Sequence, residues 1–213
     1  MARRTRQPDR DLADACVVEA LAIVEEEGFE KLSLREVARR LGVSHQAPYK
    51  HFPSRDHIVA EMVARAFAGF AAHLDARGPA GSPREDLGAM GRAYLGYALA
   101  HPLNYRLMFG TPLPEAGDHP EMMRLARHAF SLLEQALARV HAAEGRTVPA
   151  DLVEKDALFV WSVMHGLVGI LRSSVAPSLG IAPGALATVP EHVLSRIGSA
   201  LGLPEEEAGP RCL

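Results

Sequence analysis

Between Leu32 and Ile58 the chain reads LSLREVARRLGVSHQAPYKHFPSRDHI, an order of residue types that few architectures accept. Leu34, Val37, Ala38 and Leu41 recur at helical spacing, so a short helix over 34–41 buries one face. Gly42 permits the left-handed backbone that ends such a helix, and Val43 returns to the core. Ser44 can cap a second helix carrying Tyr49, Lys50, His51 and Phe52. Small Ala38, one turn before Gly42, lets the two helices approach closely. The pattern predicts a helix-turn-helix whose second helix enters a DNA major groove.

Charge agrees with that partner and confines it to one end. Lys31, Arg35, Arg39, Arg40, Lys50 and Arg55 oppose only Glu36 and Asp56 between residues 31 and 57, although the whole chain carries a net charge of -3. Arg3, Arg4 and Arg6 add a basic arm ahead of it, and after residue 57 acidic residues outnumber basic ones. A polyanion is therefore expected at the N-terminal end only. With 213 residues, 48% of them hydrophobic, the chain can bury one large core or two smaller ones. No apolar run is long enough for a membrane span, and MARRTRQPDRD lacks the apolar stretch of a secretory signal. Two distant cysteines, Cys16 and Cys212, imply no disulfide framework, so a reduced cytoplasmic setting and no membrane partner are expected.

Helical periodicity extends along the whole chain. Leu12, Ala15, Cys16, Ala20, Ile23 and Val24 predict a first helix from Asp11 to Gly28, and Phe29 packs back onto the helix-turn-helix pair. Pro53-Ser54 breaks the chain before a helix from Arg55 to Arg77, with Ser54 as its cap, and the cluster Gly78 to Pro83 marks a loop. Helices are then expected over 84–100, 102–109, 120–143, 149–174 and 191–201, with 177–190 loop-like. No strand pattern or internal repeat stands out, so the chain reads as all-α, with about nine helices. The expected division is a helix-turn-helix domain over 1–57, a helical domain over 58–204 and a flexible tail over 205–213.

Leu34, Val37, Ala38, Leu41, Gly42, Val43 and Ser44, followed by Tyr49-Lys50-His51-Phe52-Pro53-Ser54-Arg55, make the N-terminal quarter resemble the TetR family of transcriptional regulators. Trp161-Ser162-Val163-Met164-His165-Gly166 is similar to the Trp-x-x-x-His-Gly pattern of one class of C-terminal domain in that family. Pro48 departs from the family, where Ile or Leu is common. A missing N–H near the first turn is expected to cost at most one hydrogen bond. The resemblance implies a three-helix DNA-binding domain followed by a helical ligand-binding and dimerisation domain. It also implies repression of transcription, relieved by a small effector.

His45, Gln46 and Ala47 stand at the exposed start of the second helix and are the candidates for base reading. Gln46 can pair with adenine N6 and N7, and Ala47 can touch a thymine methyl. Tyr49, Lys50 and His51 resemble the family's phosphate-contacting residues. Ser33, Arg35, Ser44 and Arg55 can add phosphate bonds near helix N-termini.

The helix over 151–174 is apolar nearly all round, from Leu152 to Leu171, so both of its sides need cover. One side fits its own domain and the other a second copy. Val163, Gly166, Leu167 and Ile170, with Leu194, Ile197 and Leu201 of the last helix, are the candidate dimer residues. The resemblance places an effector pocket among the middle helices. Met90, Tyr94, Tyr97, Met108, Phe109, Met123, Phe130, Trp161 and His165 suit a mainly apolar ligand of unspecified identity. The helix from Arg55 to Arg77 joins both domains and is the expected lever.

No Gly-rich phosphate loop, GxSxG, HExxH or Cys/His metal cluster occurs, which argues against an enzyme, a metal site or a cofactor. Two alternatives keep the fold and change the signal: a redox regulator using Cys16 or Cys212, and an activator.

Overall fold

The computed structural model describes residues 8–78, 80–110 and 112–203, without the side chains of residues 8–10 and 177. Arg3, Arg4, Arg6, Cys212 and the expected tail over 205–213 lie outside the described residues. Among those described, all regular structure is helical. The α-helices run α1 Pro8–Glu26, α2 Leu34–Leu41, α3 Arg55–Asp75, α4 Pro83–Ala100, α5 Pro102–Phe109, α6 Pro120–Ala143, α7 Ala150–Arg172, α8 Val175–Ser178 and α9 Pro183–Ala200. Short 3-10 turns lie at Phe29–Lys31, Pro48–Lys50 and Ala116–Asp118.

Packing divides the chain into two compact units. Among the described residues, the first comprises those up to 69 with 102–127, and the second 70–101 with those from 128 onward. That differs from a division at residue 57, because α3 stays with the first unit as far as Gly69 and the α5 region returns to it. Arg106 of α5 donates to the carbonyl of Val24 at 3.3 Å, and Phe109 meets Phe67 edge to face with ring centres 5.8 Å apart. Cys16, Val17, Ala20, Ile23 and Val24 of α1, Leu34, Val37 and Ala38 of α2, and Ile58, Met62 and Val63 of α3 form this unit's core. These are the positions the 3.6-residue period selects.

In the second unit α4, α7 and α9 pack on one another. A Cβ built at Gly91 of α4 would overlap a terminal methyl of Leu194 of α9, so the Leu194 side chain fills the space that this glycine leaves. Arg77, just beyond α3, donates to Asp86 of α4 through Nε at 2.7 Å and Nη2 at 2.9 Å. Arg139 of α6 reaches the same carboxylate at 3.0 Å, and the Arg77 guanidinium holds the Asp86 carboxyl below its usual range. His141 is buried, with Nε2 3.1 Å from Asp156 Oδ2 and Nδ1 unpartnered.

One expected loop is helix. Residues 183–190 belong to α9, which begins with Pro183 in its first turn and continues through Pro190. Proline suits a first turn, where no N–H is needed, and Pro190 removes a single internal bond. Half-burial of Leu186 and Val189 fits a helix held by packing rather than by propensity.

Candidate nucleic-acid interface

The first unit builds a framed platform from local rules. Ser33 caps α2, its hydroxyl accepting the Glu36 N–H at 3.1 Å. Gly42 ends the helix in the left-handed region at φ 67. Val43 then donates to the Ala38 carbonyl at 3.1 Å and Gly42 to the Arg39 carbonyl at 3.3 Å, which turns the chain sharply toward residue 44.

The reading element beyond this turn is not the α-helix expected from Ser44. Residues 45–47 form a turn and Pro48–Lys50 a 3-10 segment. Pro48 has no N–H to give the Ser44 carbonyl, and that carbonyl accepts from Ala47 at 2.9 Å instead. Lys50 donates to Ala47 at 3.3 Å and His51 to Pro48 at 3.0 Å, three-residue steps, and Phe52 restores a four-residue step by donating to the Pro48 carbonyl at 2.9 Å.

Ser44, His45, Gln46, Tyr49 and Lys50 are exposed, Ala47 and His51 are half-buried, and Pro48 and Phe52 are buried. Tyr49 keeps 41% of its surface in solvent, unusual for an aromatic residue that packing could have hidden. The Nε2 atom of His51 is enclosed and unpartnered.

The cations divide into two sets. Arg40 is ion-paired with Glu36, at 2.8 Å with Glu26, and with Glu19 and Glu27. Its hydrogen bonds to Glu26 and Glu27 raise its already high pKa further. Arg39 bonds Glu36 and holds that carboxyl down to about 2. Arg55 donates to the carbonyls of Leu32 at 3.0 Å and Phe29 at 2.9 Å, with its guanidinium 4.6 Å from the centre of the Phe29 ring. It ties α3 to the turn between α1 and α2 more than it faces outward. Among the described residues, no carboxylate lies within ion-pair distance of Lys31, Arg35 or Lys50, and all three are exposed. Sequence counting overstated the free positive charge because the Glu19, Glu26 and Glu27 partners of Arg40 lie outside the basic window. Ser54 places its hydroxyl 2.9 Å from His57 Nδ1.

The effector candidates fall into separate places. In the second unit Met90, Tyr94 and Tyr97 of α4 are buried, and Phe70 lies 5.5 Å from the Tyr94 ring centre and 5.2 Å from that of Tyr97. Phe130 meets Trp161 at 6.1 Å and Trp161 meets His165 at 6.2 Å, so these three are brought together, half-buried. Met108, Phe109 and Met123 belong to the first unit. Cys16 is buried, which pushes its thiol pKa up and away from the reactive thiolate.

α7 has two faces rather than one continuous buried surface. Ala157, Val160, Met164, Leu167 and Val168 are buried in the unit, while Leu158, Phe159, Ser162, Gly166, Gly169 and Ile170 are exposed. Of the candidate dimer residues, Gly166 and Ile170 stand on this open face and Val163 is half-buried. Leu167, Ile197 and Leu201 are buried in the unit's own core, and Leu194 packs toward Gly91. Leu158 and Phe159, 50% and 40% exposed, extend the face by one turn. Their place was readable from the three- and four-residue spacing to Ser162 and Gly166. Among the described residues, no cluster suits a metal ion and no helix is long and apolar enough to cross a membrane.

Comparison with known proteins adds to this geometry. Residues 17–62 match the family model described as bacterial regulatory proteins, tetR family, and residues 87–186 match that of the tetracyclin repressor-like C-terminal domain. The chain is 36% identical over 90 residues to the HTH-type transcriptional regulator Rv1816 of Mycobacterium tuberculosis, a match spanning 41% of this chain and only 38% of that protein. It is 28% identical over 163 residues to the HTH-type transcriptional regulator Rv0681 of the same organism, spanning 76% of this chain and 71% of that one. The crystal structure of SCO4313 shares the fold, with a TM-score of 0.72 at 24% identity, covering 92% of this chain and 98% of that one.

Proposed function

This chain belongs to the TetR family of bacterial regulatory proteins, a family of transcriptional regulators rather than enzymes, and on that premise we propose that it is a dimeric repressor released from DNA by a small apolar effector. The observation that carries the DNA-reading part is the exposed edge Ser44, His45, Gln46, Tyr49 and Lys50, held on a platform that Ser33 caps and Gly42 ends. Lys50 and Arg35 supply sequence-independent affinity for phosphates, with Ser33, Ser44 and His51 beside them. Gln46 and His45 reach base edges, with Ala47 at their side. Arg55 serves by fixing the platform.

Dimerisation is supported by the uncharged face of α7. Leu158, Phe159, Gly166 and Ile170 offer a surface that a second copy can cover about a two-fold axis, without bringing like charges together. Two reading elements one DNA turn apart then recognise an inverted repeat. Effector binding is assigned to the Phe130, Trp161 and His165 surface of the second unit, with Tyr94 and Tyr97 of α4 in the same unit. A ligand preferring one arrangement of the heads lowers DNA affinity by linkage, carried by α3 and α6, each of which belongs partly to each unit.

A thermal-shift screen of apolar small molecules, followed by DNA release measured with each stabilising compound, tests this reading. Compounds that stabilise the protein and also release DNA support it. Stabilising compounds that leave DNA bound contradict the effector assignment.

A further inference from the structure

We infer that His119, at the start of α6, passes the state of the effector site to the DNA-reading platform through its ring contact with His57 in the first turn of α3. The inference rests on the DNA-reading and effector sites proposed above.

His119 is only 9% exposed, yet among the described residues its imidazole has no hydrogen-bond or ion-pair partner. Packing alone is served better by an apolar side chain, which takes no polar nitrogen out of water. What the ring does meet is His57, edge to face, with ring centres 4.9 Å apart and planes at 84°. The His57 ring is itself held, its Nδ1 lying 2.9 Å from the Ser54 hydroxyl. Both histidines belong to the first unit.

Each end of this contact is stiffly connected. The His119 carbonyl accepts the Met123 N–H at 3.2 Å, so His119 is bonded into the first turn of α6. About three helical turns further along the same helix stands Phe130, which meets Trp161. On the other side, His57 follows closely on Arg55, whose guanidinium holds the carbonyls of Phe29 and Leu32. Those carbonyls belong to the turn that leads into Ser33 and α2. The contacts from α5 reach Val24 of α1 and Phe67 well along α3, whereas His119 meets α3 beside Arg55. A displacement of α6 at Phe130 therefore moves the His119 ring against His57 and reaches the platform through Arg55. His119 and His57 are positioning residues that touch neither DNA nor effector. Coupling between two binding sites is reciprocal, so DNA held on the platform must be felt at Trp161.

The test uses this reciprocity and needs no effector. A duplex selected by the wild type from a random pool is added to saturation, and the emission of Trp161, the single tryptophan, is read. The proteins are the wild type, His57→Ala, His119→Ala and His119→Phe. Anisotropy of the labelled duplex confirms that DNA is bound, and thermal melting checks folding. The wild type and His119→Phe, which keeps a ring against His57, are expected to change emission at saturation. His57→Ala and His119→Ala are expected to lose most of that change while still holding DNA. His57 is exposed, so its variant keeps the test open should His119→Ala unfold. A full emission change in folded, DNA-bound His57→Ala overturns the inference. So does a wild type whose emission ignores bound DNA. Failure of the wild type to bind any duplex would instead remove the DNA-reading function itself.

Discussion

Val43 donates its backbone N–H to the carbonyl of Ala38 at 3.1 Å, across Gly42 in the left-handed region. This bond ends α2 and fixes the direction in which the reading element leaves it. A Cβ at Gly42 would meet nothing within 4 Å, so a substitution there is resisted by the backbone alone. Gly42→Ala is expected to lower stability by about 1–2 kcal/mol, and Gly42→Asn by less. Urea unfolding of the three proteins measures this, and equal stabilities would refute the role given to the left-handed turn.

The two sets of cations should separate in their salt dependence. Lys50→Ala is expected to reduce the slope of log affinity against log salt by about one unit per protomer, since one phosphate contact is lost. Arg40→Met is expected to leave that slope unchanged while lowering the melting temperature, because four carboxylates lose their shared partner. DNA titrations at several salt concentrations, with thermal melts alongside, distinguish the two. A reduced slope for Arg40→Met would place that guanidinium at the DNA.

Asp86 ties Arg77 to Arg139, and its carboxyl is held below the unfolded value chiefly by the Arg77 hydrogen bonds. Such a group stabilises the fold fully above its unfolded pKa, about 3.9, and the contribution is lost as pH falls through the lower folded value. Asp86→Asn should therefore cost about 1–2 kcal/mol at neutral pH, with the gap to wild type closing in strong acid. Denaturant unfolding across pH checks this; a gap of constant size would show that charge is not the cause.

The chain has a single tryptophan, Trp161, with Phe130 and His165 beside it. Its fluorescence should change on titration with any compound that releases DNA. Phe130→Ala should weaken that response severalfold, with little effect on DNA affinity in the absence of ligand. A releasing compound that leaves the emission untouched would place the effector elsewhere.

Ile170 is 52% exposed in the single chain, so Ile170→Glu should be tolerated by the isolated fold. On a covered dimer face it should produce monomers, visible by sedimentation, and weaken binding to an inverted repeat far more than to a half-site. A dimer that persists in the variant would move the interface off this face.

Where the determinant was local, the sequence was legible. The Gly42 terminus and the buried face of α2 follow from residues within a few turns of each other, and the structure has both; the Ser33 cap is equally local but was read only as a phosphate contact. Pro48 also acted locally, yet around its missing N–H the Ser44, Ala47 and Pro48 carbonyls all accept three-residue bonds, with a four-residue bond only from Phe52. The fate of Arg40 and Arg55 was hidden because their partners other than Glu36, from Glu19 to Leu32, lie 13 to 26 residues away and follow no periodic pattern. The same holds for His141 with Asp156. In α7 the sequence displayed the apolar surface but not which part its own unit covers. That depended on α4 and α9, whose packing on α7 is a tertiary fact. Helix over 183–190 was obscured by Pro183 and Pro190, because packing rather than propensity holds it.

The central claim, that two copies of this chain read DNA together through residues 44–50, is tested most directly by selecting binding sites from random duplex DNA. The account predicts an inverted repeat whose half-site centres lie about 34–36 Å, one helical turn, or a multiple of it apart. Gln46→Ala should relax the same position in both halves. Enrichment of a lone, unrepeated half-site, or of no sequence at all, would contradict it.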